Sequence, residues 1–543
     1  MPEGNTGSSP SLTRFRLLPP YVLIGLAAAL IVGACLRLPR LDVRPMHNDE
    51  AVNAIKFGQL WEQGIYRYDP NEHHGPALFY ATLAVARLTS SPDFQHLTET
   101  KLRLICVAFG IGLILLLPLV ADGLGRKATV WATLFTAVSP AFVFYSRYYI
   151  HEMPFVFFAF LALAAAWRYW RTRKLAWALL SGVALGLMHA TKETFVISLA
   201  AAGLAIALNQ IWNRVLDASG APVLAKRLNP WHLAAAFAAW MLTAVILFSS
   251  FFKNASGPMD SIRTYVPWLN RAGGQSEHIY PWYFYFHRLL WFHHGKEPVW
   301  TEALLMLLAL VGGITSFRRT NLGRGSGSFT RFITLYTFLL AAAYSLISYK
   351  TPWCLLSFWQ GTILLAGLGA AVVVRASKHV KVRWAWAVLL SIGAAQLGWQ
   401  SLEAAIPYSA DPRNPYVYAQ TSPDILKLVD KVNALAAVHP NGPQMLISVM
   451  APGDDYWPLP WYLRRFKSVG WWDKIPFAGV AGTNSAASVM IVSAKFNAGL
   501  DENKTHLMVG YFALRPQVLF ELYVELDLWR RYLASKPYSP SQP

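Results

Sequence analysis

The stretch His47-Asn48-Asp49-Glu50 places two adjacent carboxylates shortly after the first apolar run of the chain. An ionised side chain costs roughly 2.5–3.5 kcal/mol at the centre of a membrane helix, so acidic residues close to hydrocarbon usually have a role. The pair therefore indicates a catalytic or ion-handling site. The alternative is that it caps the helix predicted over 53–61, where carboxylates interact favourably with the helix dipole. Adjacent helical residues point in different directions, so one carboxylate can face a cavity while its neighbour caps or orients.

A second acidic position, Glu152, follows Arg147 and precedes Pro154 at the start of a later apolar run. Proline suits the first turn of a helix, so Glu152 also has the position of a helix cap. The sequence leaves open whether Arg147 simply pairs with Glu152. Two acidic positions that follow the same pattern nevertheless favour a shared site.

Three cations, Arg103, Lys192 and Lys350, lie at ends of apolar runs. Arg and Lys form charge-assisted hydrogen bonds with phosphate oxygens, so these positions are suited to hold the phosphate of a lipid. Two alternatives stay open. Lys192 could pair with its neighbour Glu193, and Lys350 could extend its ammonium toward the membrane surface along an apolar stem.

The composition is that of a membrane protein that crosses the bilayer many times. Of the 543 residues, 55% are hydrophobic and 14% charged, and the mean hydropathy is +0.32. Soluble domains carry about 25% charged residues. The net charge of +19 could indicate nucleic-acid binding, but the basic residues fall mostly in short loops between apolar runs. That distribution favours a positive-inside topology and no nucleic-acid partner.

Apolar runs close to the length of a membrane span number about eleven. They cover residues 21–37, 103–121, 128–145, 154–170, 175–190, 194–211, 233–252, 300–316, 331–347, 354–374 and 384–402. With the N-terminus in the cytoplasm, basic residues fall on the cytoplasmic side at every turn. This holds only if the short apolar segment 76–87 does not cross the bilayer, so we predict that it is re-entrant or interfacial.

The predicted organisation has three parts: a cytoplasmic segment (1–20), a transmembrane domain (21–402) and an extracytoplasmic α/β domain (403–543). Helical periodicity over 424–438 and short apolar strands over 445–449 and 489–492 support the last of these. The topology gathers the polar clusters on the extracytoplasmic face. We therefore predict a multi-pass protein of the cell (inner) membrane.

Six strings carry a family resemblance, and their order and shared side of the membrane matter more than any one of them. The strings are HNDEA (47–51), YRYDPNEHHGP (66–76), YSRYYIHEMP (145–154), ATKET (190–194), SYKTPWC (348–354) and DDYWPLPWYLR (454–464). The chain resembles the GT-C superfamily of membrane glycosyltransferases, which includes protein O-mannosyltransferases and the lipid A aminoarabinose transferase. It is most similar to a bacterial and archaeal flippase-activity-associated family linked to protein N-glycosylation.

The resemblance implies a GT-C fold and transfer of a hexosyl or pentosyl group from a polyprenyl-phosphate donor on the outer face. Asp49 matches the acidic residue proposed as general base, Glu50 completes the acidic pair, and Glu152 matches the second acidic position, where relatives often have Asp. His74 stands where the aminoarabinose transferase has lysine. A general base and cations at the leaving phosphate suit a single inverting displacement. The catalytic candidates are Asp49, Glu50 and Glu152, and the phosphate-binding candidates are Arg103, Arg147, Lys192, Lys350 and His74.

Two other functions compete with this interpretation. A flippase or transporter could use the same acidic residues as ion sites, although the charges cluster at one face and no inverted repeat is visible. A non-catalytic scaffold could bind another glycosylation component through the outer domain. The sequence leaves open the sugar, the acceptor (lipid, protein or polysaccharide), the oligomeric state and any divalent metal, which it does not require.

Overall fold

The computed structural model describes residues 19–71, 74–215, 228–273, 278–296, 298–318, 325–475, 487–500 and 505–536. The predicted cytoplasmic segment, residues 1–20, lies almost entirely outside this part of the chain. Helices dominate up to residue 405, and a mixed sheet follows. This order agrees with the prediction of an all-α membrane domain followed by a small α/β region.

The helices of the first 405 residues alternate between long apolar segments and short connecting ones. In chain order they are α1 (Pro20–Arg37), α2 (Asn48–Gln63), α3 (Ala77–Leu88), α4 (Glu99–Leu116), α5 (Ala121–Leu124), α6 (Arg126–Val138), α7 (Pro140–Ser146), α8 (Glu152–Thr172), α9 (Leu175–His189), α10 (Phe195–Val215), α11 (Pro230–Phe248), α12 (Gly257–Arg263), α13 (Tyr265–Ala272), α14 (Phe284–Leu290), α15 (Ala303–Phe317), α16 (Gly327–Leu346), α17 (Leu356–Ala376) and α18 (Val380–Ala405). A two-stranded hairpin, β1 (Phe292–His293) and β2 (Val299–Trp300), separates α14 from α15.

Each predicted apolar run coincides with a helix or, for 128–145, with the pair α6–α7, which bends by 54°. Among the described residues, seven helical segments are long and apolar enough to cross a membrane, or eight if α6–α7 counts as one span. Helices α3, α9 and α15 are apolar but shorter. The multi-span architecture is therefore confirmed, while the count of eleven stays a prediction.

Small residues let the apolar helices approach closely. An added Cβ at Gly312 of α15 would lie 2.1 Å from the Leu365 carbonyl oxygen, and one at Gly369 of α17 would lie 1.9 Å from the Leu308 carbonyl oxygen. In lipid the hydrophobic effect between helices is weak. Close van der Waals packing at glycine therefore stabilises their association. The α15–α17 pair thus depends on reciprocal glycines.

The chain changes partners at the break between α9 and α10. Helix α9 packs against α8 and α11, whereas α10 packs against α16. The break itself spans residues 190–194 and joins the two helices at one end of the bundle. A cavity lined by α8 and α9 on one side and by α10 and α16 on the other separates the two helix groups.

The C-terminal region is a five-stranded mixed sheet with three helices. The strands are β3 (Ile447–Met450), β4 (Val469–Trp472), β5 (Val489–Ser493), β6 (His506–Arg515) and β7 (Val518–Glu525), and the helices are α19 (Asp424–Val438), α20 (Leu459–Tyr462) and α21 (Leu526–Ala534). The order is β4-β3-β5-β7-β6, with β3 parallel to β4 and β5, and β7 antiparallel to β5 and β6. Helix α19 matches the predicted helix over 424–438.

The C-terminal region is bound to the membrane domain through the start of α2 and the start of α4. The indole of Trp461 donates to Glu99 at 2.7 Å, and Arg464 donates to the Leu97 carbonyl at 2.6 Å. The Met46 amide donates to the Tyr462 hydroxyl at 2.8 Å. These contacts place the sheet next to the acidic stretch at 47–50.

Candidate active site

Asp49 is the exposed member of the acidic pair. It lies in the first turn of α2, and its side chain is 44% exposed. Its backbone N–H donates to His47 Nδ1 at 3.1 Å, while His47 Nε2 lies 3.0 Å from the Tyr418 carbonyl oxygen. Because a carbonyl only accepts, these two bonds require a ring that is protonated at Nε2. His47 thus fixes the backbone beneath an accessible carboxylate.

Glu50 points the other way and is fully buried. Its carboxylate accepts from Arg103 at 2.8 Å and from Arg44 at 3.2 Å, and from the backbone amides of His47 and Tyr149, both at 2.9 Å. Burial by itself raises the pKa of Glu50, but the two guanidiniums and these hydrogen bonds hold it well below its usual range. The capping role that the sequence left open for one carboxylate therefore belongs to Glu50, which forms a capping box with His47.

Arg103 lies inside the protein rather than at an open phosphate site. It is 1% exposed, and each of its guanidinium nitrogens donates within the described residues. Besides Glu50, the acceptors are the carbonyls of Leu41, Arg44 and Pro45 and the sulfur of Met46. This placement differs from the predicted phosphate contact, because the donors that a phosphate would need are already bound to protein.

Arg147 is also committed to protein acceptors. Its guanidinium donates to the carbonyls of Arg37 and Pro39 at 2.8 and 2.7 Å and to that of Arg40 at 2.8 Å. A cation at the C-terminal end of α1 satisfies carbonyls that the helix leaves unpaired. The pairing of Arg147 with Glu152 that the sequence allowed is not formed, since Glu152 has a different partner.

That partner is Lys192, whose ammonium donates to Glu152 Oε1 at 2.5 Å. Both side chains are buried. Burial lowers the pKa of Lys192, but the adjacent carboxylates of Glu152 and Glu193 raise it well above its usual range. The hydrogen bond that the sequence suggested between Lys192 and Glu193 is instead made to Glu152, across the start of α8.

Glu193 forms a second ion pair beside the first, with His74 at 2.9 Å from its Oε2. Burial raises the pKa of Glu193, but the His74 charge and hydrogen bond lower it to about 2. The backbone brings His74 here because the Gly75 amide donates to the Thr191 carbonyl at 3.1 Å. A Cβ on Gly75 would lie 2.3 Å from the Ala190 carbonyl oxygen, so this approach requires glycine. His74 remains 39% exposed.

Lys350 lies under the loop segment at 278–280. Residue Ile279 forms an antiparallel bridge with Tyr349, and the Lys350 amide donates to the His278 carbonyl at 2.9 Å. The Lys350 ammonium donates to the carbonyls of Tyr280, at 3.0 Å, and Ile347. Burial lowers the pKa of Lys350. The alternative of a lysine extended toward the membrane surface is not what the structure shows, because the ammonium is held by carbonyls.

Aromatic residues connect Asp49 with the lysines. The His47 ring lies 5.6 Å from the Trp353 ring, which lies 5.9 Å from that of Tyr418. The Tyr418 hydroxyl contacts His278 at 2.6 Å. Burial raises the pKa of Tyr349, the Asp49 charge raises it further, and the Lys192 charge lowers it, so Tyr349 lies within electrostatic reach of both groups. Tyr349 and Trp353 lie inside the motif SYKTPWC, whereas His278 and Tyr418 had no sequence signal.

The site therefore combines an accessible carboxylate with two acid–base pairs at one end of the bundle: Lys192–Glu152 is buried, and His74–Glu193 leaves the imidazole partly exposed. Asp49 can accept a proton, and the ammonium of Lys192 can donate to an anionic group. In the part of the chain that the structure describes, no group of three or more His, Cys, Asp or Glu side chains could hold a metal ion.

The described part of the chain, an apolar helix bundle followed by a small C-terminal sheet, is similar in fold to solved GT-C membrane glycosyltransferases. Residues 81–256 match the family model of dolichyl-phosphate-mannose-protein mannosyltransferase. The predicted GT-C resemblance is thereby confirmed.

Two solved structures show the extent of the similarity. ArnT from Cupriavidus metallidurans bound to undecaprenyl phosphate is 14% identical with a TM-score of 0.62, and the match covers 94% of this chain and 98% of that one. The Archaeoglobus fulgidus oligosaccharyltransferase tethered with an acceptor peptide is 15% identical with a TM-score of 0.52, covering 84% of this chain and 64% of that one. No curated protein matches the chain by sequence.

Proposed function

We propose that the protein transfers a sugar from a polyprenyl-phosphate donor to an acceptor on the extracytoplasmic face of the cell membrane, with inversion at the anomeric carbon. The observation that carries this proposal is the contrast within the acidic pair. Asp49 is 44% exposed, while its neighbour Glu50 is buried between two guanidiniums and fixes the helix that presents it. A rigid, accessible carboxylate is what a general base requires.

Asp49 accepts the proton of the acceptor nucleophile, which attacks the anomeric carbon as the bond to the lipid phosphate breaks. The leaving phosphate gains negative charge during this step and needs fixed cations nearby. Lys192 uses one of its three N–H donors for Glu152 and retains two for phosphate oxygens. His74 uses Nδ1 for Glu193, and its Nε2 can donate to a phosphate oxygen only when the ring is protonated. ArnT, which shares the fold, binds undecaprenyl phosphate.

The remaining candidates take supporting roles in this mechanism. Glu50 and Arg103 position Asp49 through the capping box, and Arg147 fixes the end of α1. Glu152 holds Lys192 in its charged form, and Lys350 supports the loop at 278–280. The donor sugar, the acceptor and the cytoplasmic position of the N-terminus remain parts of the proposal.

The test uses purified protein, radiolabelled polyprenyl-phosphate sugars and a membrane extract as acceptor. We expect the wild type to move label from the lipid to the extract and Asp49→Asn to lose at least about 100-fold in rate, the lower range for a positioned acid–base group. The control is Asp42→Asn, the same change at an exposed aspartate in the loop that precedes α2. Equal transfer by wild type and Asp49→Asn would exclude Asp49 as base.

A further inference from the structure

A large cavity lies between the two helix groups that the break at 190–194 joins. Its volume is about 1050 Å³, at the upper end of ordinary ligand pockets. Helices α8 and α9 form one wall, and α10 and α16 form the other. Along α10 the lining extends from Ser198 to Arg214, a distance of about 24 Å at the rise of an α-helix. The cavity therefore extends along most of the hydrocarbon thickness of a bilayer, which is about 30 Å.

The polar and basic residues that line the cavity are concentrated at the end opposite Asp49. Near the candidate active site the walls are mostly apolar, as at Leu163, Leu185 and Leu199. At the opposite end the lining adds amides and arginines to aromatic residues, and these polar residues are Asn209, Gln210, Asn213, Arg171 and Arg214. The described lining contains no carboxylate. The cavity thus has one basic, polar end and one apolar shaft.

The two arginines at the mouth are accessible. Arg214 is exposed, and Arg171 is 54% exposed even though its Nε donates to Asp122 at 3.2 Å. A guanidinium has five donors, so Arg171 retains donors for a further anion. Trp167 and Trp170 lie beside them in the lining, as aromatic residues do at a membrane interface.

We propose that this cavity binds an anionic membrane phospholipid of the leaflet opposite the candidate active site. The phosphate would lie between Arg171 and Arg214, and an acyl chain would extend along the apolar shaft toward the break at 190–194. The charge of the mouth selects an anionic headgroup, and the walls select a long chain. A donor whose phosphate reacts near Asp49 cannot place that phosphate between Arg171 and Arg214, because Arg214 lies about 24 Å along α10 from Ser198, at the end of the cavity nearer the candidate active site.

The test measures lipid binding and does not depend on transfer activity. Purified protein is delipidated in detergent and titrated with dioleoyl phosphatidylglycerol or dioleoyl phosphatidylcholine, and bound lipid is counted by native mass spectrometry. We expect wild type to prefer the anionic lipid. Arginines near an anionic surface contribute about 1 kcal/mol each. This corresponds to about fivefold in affinity per residue, so Arg171→Ala/Arg214→Ala should reduce the preference about 25-fold.

The matched control is Lys378→Ala/Lys381→Ala, which removes two exposed cations from the same end of the bundle but away from the cavity. It should keep the wild-type preference. A second variant, Ala166→Trp, fills the shaft and should reduce binding of both lipids, since Ala166 faces the cavity. Equal binding of the two lipids by wild type, an unchanged preference in the arginine variant, or undiminished binding in Ala166→Trp would each overturn the proposal. Retention of a polyprenyl phosphate instead of a phospholipid would overturn it too.

Discussion

Replacing Glu50 by glutamine should destabilise the protein strongly while leaving its shape at that position almost unchanged. The carboxylate is 0% exposed, and its partners Arg44 and Arg103 are 4% and 1% exposed. Removing one member of a buried ion pair costs about 3–5 kcal/mol, because the remaining charge stays buried without compensation. We therefore expect Glu50→Gln to lower the free energy of unfolding by about 3–5 kcal/mol at pH 7.

The measurement is reversible unfolding in detergent micelles, followed by circular dichroism. Glu62→Gln is the control, because Glu62 lies at the exposed end of the same helix. It should change the free energy of unfolding by less than about 0.5 kcal/mol. A double-mutant cycle with Arg103→Gln should give a coupling energy of at least about 1 kcal/mol, as expected for contacting residues.

The contribution of Glu50 to the free energy of unfolding should depend on pH. The pKa of Glu50 in the folded protein lies below its ordinary value of about 4.3. Its contribution is therefore complete above about pH 4.3 and is lost as the pH falls toward the folded-state pKa. The stability difference between wild type and Glu50→Gln should be constant from pH 8 to about pH 5 and narrow below that. Equal stability at pH 7, or a gap that widens on acidification, would refute the reasoning.

Three further predictions concern Lys192, the helix packing and the C-terminal sheet. Lys192→Met should reduce transfer at least about tenfold in single-turnover assays, a loss that a spectator lysine would not show. Gly369→Ala should lower the free energy of unfolding by about 1–3 kcal/mol, because the added Cβ would overlap a carbonyl oxygen. The control is Gly203→Ala, which has nothing within 4 Å of the added Cβ and should be neutral or stabilising. Trp461→Phe removes an indole hydrogen bond across the interface with the membrane domain and should speed proteolysis between residues 403 and 420, compared with wild type.

Local patterns were sufficient to predict the long apolar helices and α19, but not the short helices α12 to α14. Each apolar run became a helix because length and composition decide the helical state in a bilayer, where the backbone must satisfy its own hydrogen bonds. The different directions of Asp49 and Glu50 also followed from helix geometry alone. The bend between α6 and α7 was not predicted, although Pro140 at the start of α7 was its signal.

The partners of the charged residues could not be predicted, because they are distant in sequence. Glu50 and Arg103 are 53 positions apart, Arg147 and the Arg37 carbonyl 110, and Lys350 and the Tyr280 carbonyl 70. An Arg or Lys at the end of a predicted membrane span needs an anionic or carbonyl partner. Its type and position in the sequence do not show whether that partner is a phosphate, a carboxylate or a set of backbone carbonyls. Only the tertiary arrangement decides between them.

The contacts around His47 also set an order of events during synthesis. Its Nε2 bonds to the carbonyl of Tyr418, which leaves the ribosome 371 residues later. The neighbouring Met46 amide donates to the hydroxyl of Tyr462, which is synthesised later still. At about 5–20 residues per second, roughly 20 to 75 seconds of translation separate His47 from Tyr418. The helix that carries Asp49 is thus among the first elements to be made and among the last to gain its full set of contacts. A nascent chain that ends before Tyr418 therefore lacks both of these bonds at the start of α2.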